Sequence, residues 1–245
     1  MPVDTDPFRY QPYWRDKIAD PNGSRFRKMS LASIDQKMIA AGFDKNWRLT
    51  DEQREANRVD TLNSGPGGDL WVIGCGSLIW DPGFLFDEVR LGAVTGFERR
   101  FCLYSVLGRG SPDKPGLMVA FDPGTTAQGA VFRIPRDKIE HESRLIWRRE
   151  MLVGAYQPRF VSVTTAQGPL QALAFVANPA SSVYRPEIGA EEAACLVATG
   201  EGFYGTCFEY VESLARQLAA LGIHDHGVVA LYESALSKRR SPSIE

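Results

Sequence analysis

Several things that would point to a function are scarce in this chain. Its 245 residues hold four cysteines, Cys75, Cys102, Cys195 and Cys207, widely spaced and without a C-x-x-C pair. That spacing excludes a disulfide scaffold or a zinc ribbon and fits reduced thiols in a cytosolic protein. Only three histidines are present. The formal net charge of −2 argues against a nucleic-acid surface, and no basic cluster precedes "SKRR" at residues 237–240. No apolar run approaches the roughly 20 residues of a membrane helix. The opening "MPVDTDPFRY" has neither the basic nor the apolar region of a signal peptide, so the expectation is a soluble, cytoplasmic protein. No glycine loop continues into Gly-Lys-Ser/Thr or completes G-x-G-x-x-G, which removes the two commonest nucleotide fingerprints. There is no internal repeat.

The sequence does have enough apolar residues, 44% of the total, for one globular domain with an appendage or for two small domains. The clearest boundary is "NSGPGGD", residues 63–69, which sustains neither helix nor central strand. The organisation expected is an N-terminal helical extension over 1–69, a main domain over 70–236 and a polar tail over 237–245. In the extension, Leu31, Ile34 and Met38 predict a helix over about 28–41, and T-D-E-Q from Thr50 reads as a capping box opening a second. Phe8, Tyr10, Tyr13 and Trp14 are too aromatic for a free tail, so the arm should pack on the main domain or on a second subunit, as in a homodimer.

Past residue 69 the pattern changes to short β-branched and aromatic runs: 70–73, 94–105, 117–121, 128–134, 159–165 and 170–177. Helices are expected over about 136–152, 190–198, 207–221 and 226–236. Many strands with few intervening helices predict an α+β fold with a mixed or antiparallel, barrel-like β core and flanking helices, since a doubly wound parallel sheet would need helices between strands.

Two features could carry chemistry. In "WVIGCGSLIWDPGF", residues 71–84, a strand-like run breaks at Gly74, Cys75, Gly76 and Ser77, then resumes. Such a turn can aim consecutive backbone N–H groups at a carboxylate or phosphate, although glycines that merely permit a bend are common. Glu150 is the second. Ile139, Ile146 and Glu150, spaced seven and then four, share one helical face, and a carboxylate on an apolar stripe is a candidate general base because burial raises its pKa. The plainer reading is an ion pair with Arg144, Arg148 or Arg149. His224, Asp225 and His226 have metal-ligating side chains but no distant third ligand, so a helix start is the commoner meaning. Cys75 as a nucleophile would need a basic partner, and no histidine lies near it in sequence.

Taken together, "WVIGCGSLIWDPGF", "GFERRFCLYS" (96–105), "GRGSPDKPGLMVAF" (108–121), "RREMLVGAY" (148–156) and "GEGFYGTCFEYV" (200–211) resemble, in order, the motifs of the ChaC-type γ-glutamylcyclotransferases. The resemblance covers roughly residues 70–236. It implies cleavage of glutathione or a related γ-glutamyl compound to 5-oxoproline, without metal or organic cofactor, nucleic acid or membrane. Backbone amides around Cys75, Gly76, Ser77 and Leu78 would hold the substrate's α-carboxylate. Glu150 would take a proton from the α-ammonium, and Tyr156 and Tyr210 would border the substrate. The chain departs from the family pattern where Cys75 replaces a tyrosine, where Cys207 replaces an asparagine, and where "LGRGS" lacks a histidine. These departures leave the base and the backbone donors intact. They keep two alternatives open, a binding protein without turnover on the same scaffold and a cyclotransferase for γ-glutamyl amines.

Overall fold

The computed structural model describes residues 6–240. Helices α1 (Leu31–Ala40) and α2 (Asp51–Asn63) come first, followed by strands β1 (Leu70–Ile73), β2 (Glu88–Ser105) and β3 (Gly116–Ile134). Helix α3 (Ile139–Glu150), strands β4 (Tyr156–Thr165) and β5 (Gly168–Ala177) and helix α4 (Ala190–Thr199) continue the chain. A short hairpin of β6 (Glu201–Gly202) and β7 (Gly205–Thr206) leads into α5 (Cys207–Ala220) and α6 (His226–Arg240). Strands β1-β3-β2-β4-β5 form a closed barrel, the α+β architecture expected from the sequence. Among the described residues no helix is long and apolar enough to cross a membrane.

Local chemistry accounts for most boundaries. Thr50 and Gln53 do form a reciprocal capping box at α2, and Thr206 with Glu209 forms another at α5. Ser30 caps α1 through the Ser33 amide, so that helix opens at Leu31 and not at 28. Two expected strands, 117–121 and 128–134, are one continuous strand. Pro123 and Gly124 interrupt the apolar pattern, but they lie in an exposed stretch, where a proline's missing N–H does little harm. The helix expected over 136–152 begins as a 3-10 turn and ends at Glu150.

The chain gathers into two compact units, one from residues up to 93 and 129–175, the other from 94–128 and from 176 onward. In the first, β1 pairs antiparallel with β3 from Leu70↔Ile134 to Ile73↔Val131 and parallel with β5 at Val72↔Leu173. Its core holds Phe84 edge-on to Phe132 at 5.6 Å and Trp147 of α3 edge-on to Phe175 at 5.3 Å. The aromatic arm is part of this unit. Trp14 is fully buried, the Val89 amide donates to Pro7, and the Ala19 amide donates to Trp80. In the second unit Leu117, Phe121, Val211 and Leu214 are buried. Asp225 caps α6 through the Val228 amide and accepts from Nη1 of the fully buried Arg99 at 2.5 Å, so the His-Asp-His stretch is a helix start tied to a buried arginine.

The end of β1 is shaped by two glycines. The Gly74 amide donates to Ala130, and a Cβ added to Gly129 would sit 2.5 Å from the Gly74 carbonyl oxygen. Backbone cannot move aside as a flexible side chain can, so Gly129→Ala should cost about 1–3 kcal/mol through overpacking. Urea denaturation of the two proteins measures this, and an unchanged midpoint would show that the close approach is not required.

Candidate active site

Beyond β1 the chain turns sharply. Gly76 adopts φ −108°, ψ −127°, and Ser77–Ile79 form a single 3-10 turn. The Ile79 amide donates to Gly76, and the Trp80 and Asp81 amides donate to Ser77. Among the described residues the amides of Gly76, Ser77 and Leu78 have no backbone acceptor. Three consecutive N–H groups left in this way form a backbone concavity suited to an anion.

Helix α3 brings Glu150 to this turn. Its buried residues, Glu142, Ser143, Ile146 and Trp147, define the face on which Glu150 lies one turn further on. Glu150 is the last helical residue, at the negative end of the helix dipole, and its side chain is only 13% exposed. Loss of water raises its pKa above the ordinary glutamate value, and the neighbouring Arg149 guanidinium partly opposes that rise.

The ion pair expected from the sequence is present, beside a carboxylate whose pKa burial raises. Arg149 Nε lies 2.9 Å from Glu150 Oε1. The same guanidinium donates through Nη2 to Ser77 Oγ at 2.7 Å and through Nη1 to the carbonyls of Asp81 at 2.6 Å and Pro82 at 3.2 Å. Thus one planar fork, 7% exposed, links the amide-lined turn to the carboxylate. Sequence reasoning had Arg149 only as one of three ion-pair partners, and its link to Ser77 joins residues 72 positions apart. The available signal was a pair of arginines directly before the candidate base, with Arg149 seven residues beyond Glu142 on the same face.

The remaining expected site residues fall as follows. Cys75 is buried within the turn, and Tyr156 opens β4 in the first unit, half-buried. Tyr210 belongs to the second unit, on α5, 5% exposed and edge-on to Phe101 at 6.2 Å. Cys207 fills the place expected of an asparagine with a buried thiol that accepts from the Leu117 amide and donates to the Leu117 carbonyl, both at 3.2 Å. Burial pushes that thiol up to about 11, so it stays protonated and unreactive at neutral pH.

Helix α3 thus ends in a dehydrated carboxylate that is joined through Arg149 to the amide-lined turn. A family model described as ChaC-like protein matches residues 70–238, and the chain belongs to that family. It is 34% identical over 200 residues to the glutathione-specific gamma-glutamylcyclotransferase of Escherichia coli strain K12, covering 81% of this chain and 87% of that protein. Against the human glutathione-specific gamma-glutamylcyclotransferase 1 the identity is 30% over 179 residues, 70% of this chain and 81% of the other. The crystal structure of a yeast γ-glutamyl cyclotransferase specific to glutathione shares the fold with a TM-score of 0.64 at 22% identity, covering 73% of this chain and all of that one.

The electrostatics make a signed prediction. Because the Glu150 pKa is raised, the folded protein holds a proton between the ordinary glutamate value and the raised one, where the unfolded chain has released it. Stability from this group accordingly falls as pH rises through that window, and the basic form appears only above it. Carbon-13 NMR of labelled glutamate should place the Glu150 midpoint above the ordinary value of about 4.3 and find it higher still in Arg149→Met. A midpoint at or below the ordinary value would remove the electrostatic basis for a general base.

Proposed function

We propose that this protein is a γ-glutamylcyclotransferase that acts on glutathione in the cytoplasm. The observation that carries the reading is the Arg149 fork, which ties Ser77 of the amide-lined turn to Glu150. The relatives' names supply the substrate class. The four cysteines are free thiols, as a reducing compartment requires.

In this reading the α-carboxylate of the γ-glutamyl group sits on the amides of Gly76, Ser77 and Leu78. Glu150 accepts a proton from the α-ammonium, and the freed amine attacks the γ-carbonyl of the same molecule. A five-membered ring closes and its nitrogen sheds a second proton; the γ-amide C–N bond breaks, and the departing nitrogen takes up both protons, relayed through Glu150, and leaves as an ammonium. The products are 5-oxoproline and cysteinylglycine. No water is consumed and the protons balance.

The reaction is intramolecular, so the protein's main task is to fold the substrate onto itself. Correct orientation in such reactions is worth roughly 7–11 kcal/mol in favourable cases. A positioned base adds about 10²–10⁴-fold. Tyr156 would border the substrate, and the small thiol of Cys75 in place of a phenol bears on which γ-glutamyl compound fits best.

Incubated with glutathione, the wild-type protein should release 5-oxoproline, and Glu150→Gln, nearly isosteric, should retain its circular dichroism and lose about 10²-fold or more of that activity. The rate should fall on the acid side as Glu150 takes up its proton. If concentrated wild-type protein yields no 5-oxoproline from glutathione or from a panel of γ-glutamyl amides and amines, the enzymatic reading fails. Saturable binding without product would then favour the binding-protein alternative.

A further inference from the structure

The matched family region begins at residue 70, yet the residues before it lie against the helix that carries Glu150. A short strap, residues 24–27, is seated along one face of α3. Arg27 makes a two-pronged ion pair with Glu142, Nη1 to Oε2 at 2.7 Å and Nη2 to Oε1 at 3.0 Å. The Glu142 side chain is 2% exposed, and it also accepts from the Leu85 amide. Arg148 donates through Nη2 to the carbonyls of Phe26 and Arg27 at 3.2 and 2.8 Å. Two turns along the same face, the Phe26 ring covers the Arg149 guanidinium, whose central carbon lies 3.7 Å from the ring centroid. Arg25 stands near the same ring, 5.0 Å from its centroid.

The chain around Gly83 has made room for this approach. Gly83 has φ +69°, and a Cβ there would sit 3.1 Å from Ser24 Oγ, 3.3 Å from Phe26 Cβ and 3.6 Å from Arg149 Nη1. Glycine at this position therefore serves both the backbone conformation and the close passage of the strap. The Phe26 amide in turn bonds back to Ser24 Oγ at 3.2 Å, which fixes the ring's own backbone.

We propose, resting on the cyclotransferase reading, that Phe26 is a positioning residue for catalysis. Its ring fixes the plane of the Arg149 guanidinium and so aims the Glu150 carboxylate at the amide-lined turn. The physical case is one of degrees of freedom. Arg149 makes its in-plane contacts with Glu150, Ser77, Asp81 and Pro82, and a planar fork can rock about that plane unless a face is covered. A stacked aromatic ring covers one face, attracts the cation, and keeps water from the ion pair. The contribution acts through Arg149, and Phe26 itself touches no substrate in this scheme. The N-terminal extension thereby becomes part of the active site's framework.

The test uses the full-length protein and two readouts. In Phe26→Ala, kcat for 5-oxoproline release should fall about tenfold or more, because small displacements of a catalytic group are costly. KM should stay within about twofold, since the turn keeps its own backbone hydrogen bonds from Ile79, Trp80 and Asp81. Phe26→Tyr, which keeps the ring, should restore kcat to within about twofold of the wild type. Independently of turnover, the rate at which a water-soluble carbodiimide modifies Glu150, read by peptide mass spectrometry, should rise several-fold in Phe26→Ala and not in Phe26→Tyr. Should Phe26→Ala not fold, Phe26→Leu keeps apolar bulk without the ring and carries the same readouts. A folded variant without the ring that matches the wild type in kcat and in Glu150 modification overturns the proposal. If the wild type turns over no γ-glutamyl compound, the functional reading fails and the modification rate alone still decides the role of Phe26.

Discussion

The site depends on a single dehydrated guanidinium. Arg149 holds the Ser77 hydroxyl, two backbone carbonyls and the Glu150 carboxylate at once, with almost no exposure to solvent. Burying such a charge is unfavourable unless its donors are matched, and a buried pair is weak evidence for stability. Its value lies in direction. Five N–H donors fixed in a plane specify where the partners stand, and a lysine with one rotating ammonium would not. The pairing explains how a carboxylate can be dehydrated, with its pKa raised, and still be held in one place. Water loss pushes Glu150 toward its neutral form, and one adjacent cation keeps the charged form attainable.

The turn complements this arrangement from the backbone side. Amides in a folded interior normally find an acceptor, so three consecutive donors without one mark a place where a ligand can complete the pairing. The close approach of Gly129 to the Gly74 carbonyl and the 3-10 turn that follows set their direction. In the proposed reading the grip would come from main-chain N–H groups, which place no demand on the side chain at position 75, where a buried thiol stands in this chain. On that reading substrate preference and substrate anchoring are separated: the backbone would hold the carboxylate, while neighbouring side chains would shape what lies beyond it.

How much of this was legible in the sequence follows from the range of each interaction. The boundaries of β1, the capping box at Thr50 and the apolar face of α3 are local, and local pattern gave them. The motif order from the glycine turn to "RREMLVGAY" sufficed to suggest the family. What pattern could not reach was pairing between distant residues. Arg27 meets Glu142 across 115 positions, and Arg149 meets Ser77 across 72. No periodicity links such pairs, and each arginine alone reads as one more surface charge. The splitting of β3 in the sequence reading has a different cause. A proline and a glycine interrupt the apolar pattern in that strand where its exposure makes them harmless.

The buried acids of the first unit show why the extension and the site belong to one argument. Glu88 is paired with Arg9, with Arg90 at 2.5 Å and with Arg133 at 3.4 Å, and Glu142 is paired with Arg27. In both cases the N-terminal segment supplies a cation, so these carboxylates are matched and their role is structural. Among the described residues Glu150 is the exception, with a single cation from its own helix and none from the segment. What the segment gives Glu150 is indirect: Phe26 lies on the face of the cation that Glu150 uses. A second salt bridge, added to the one with Arg149, would lower the pKa further, whereas an apolar ring laid on Arg149 orders the pair without neutralising it further. The same segment therefore satisfies the acids that only hold the fold together and leaves under-compensated Glu150, the acid to which the proposed chemistry is assigned.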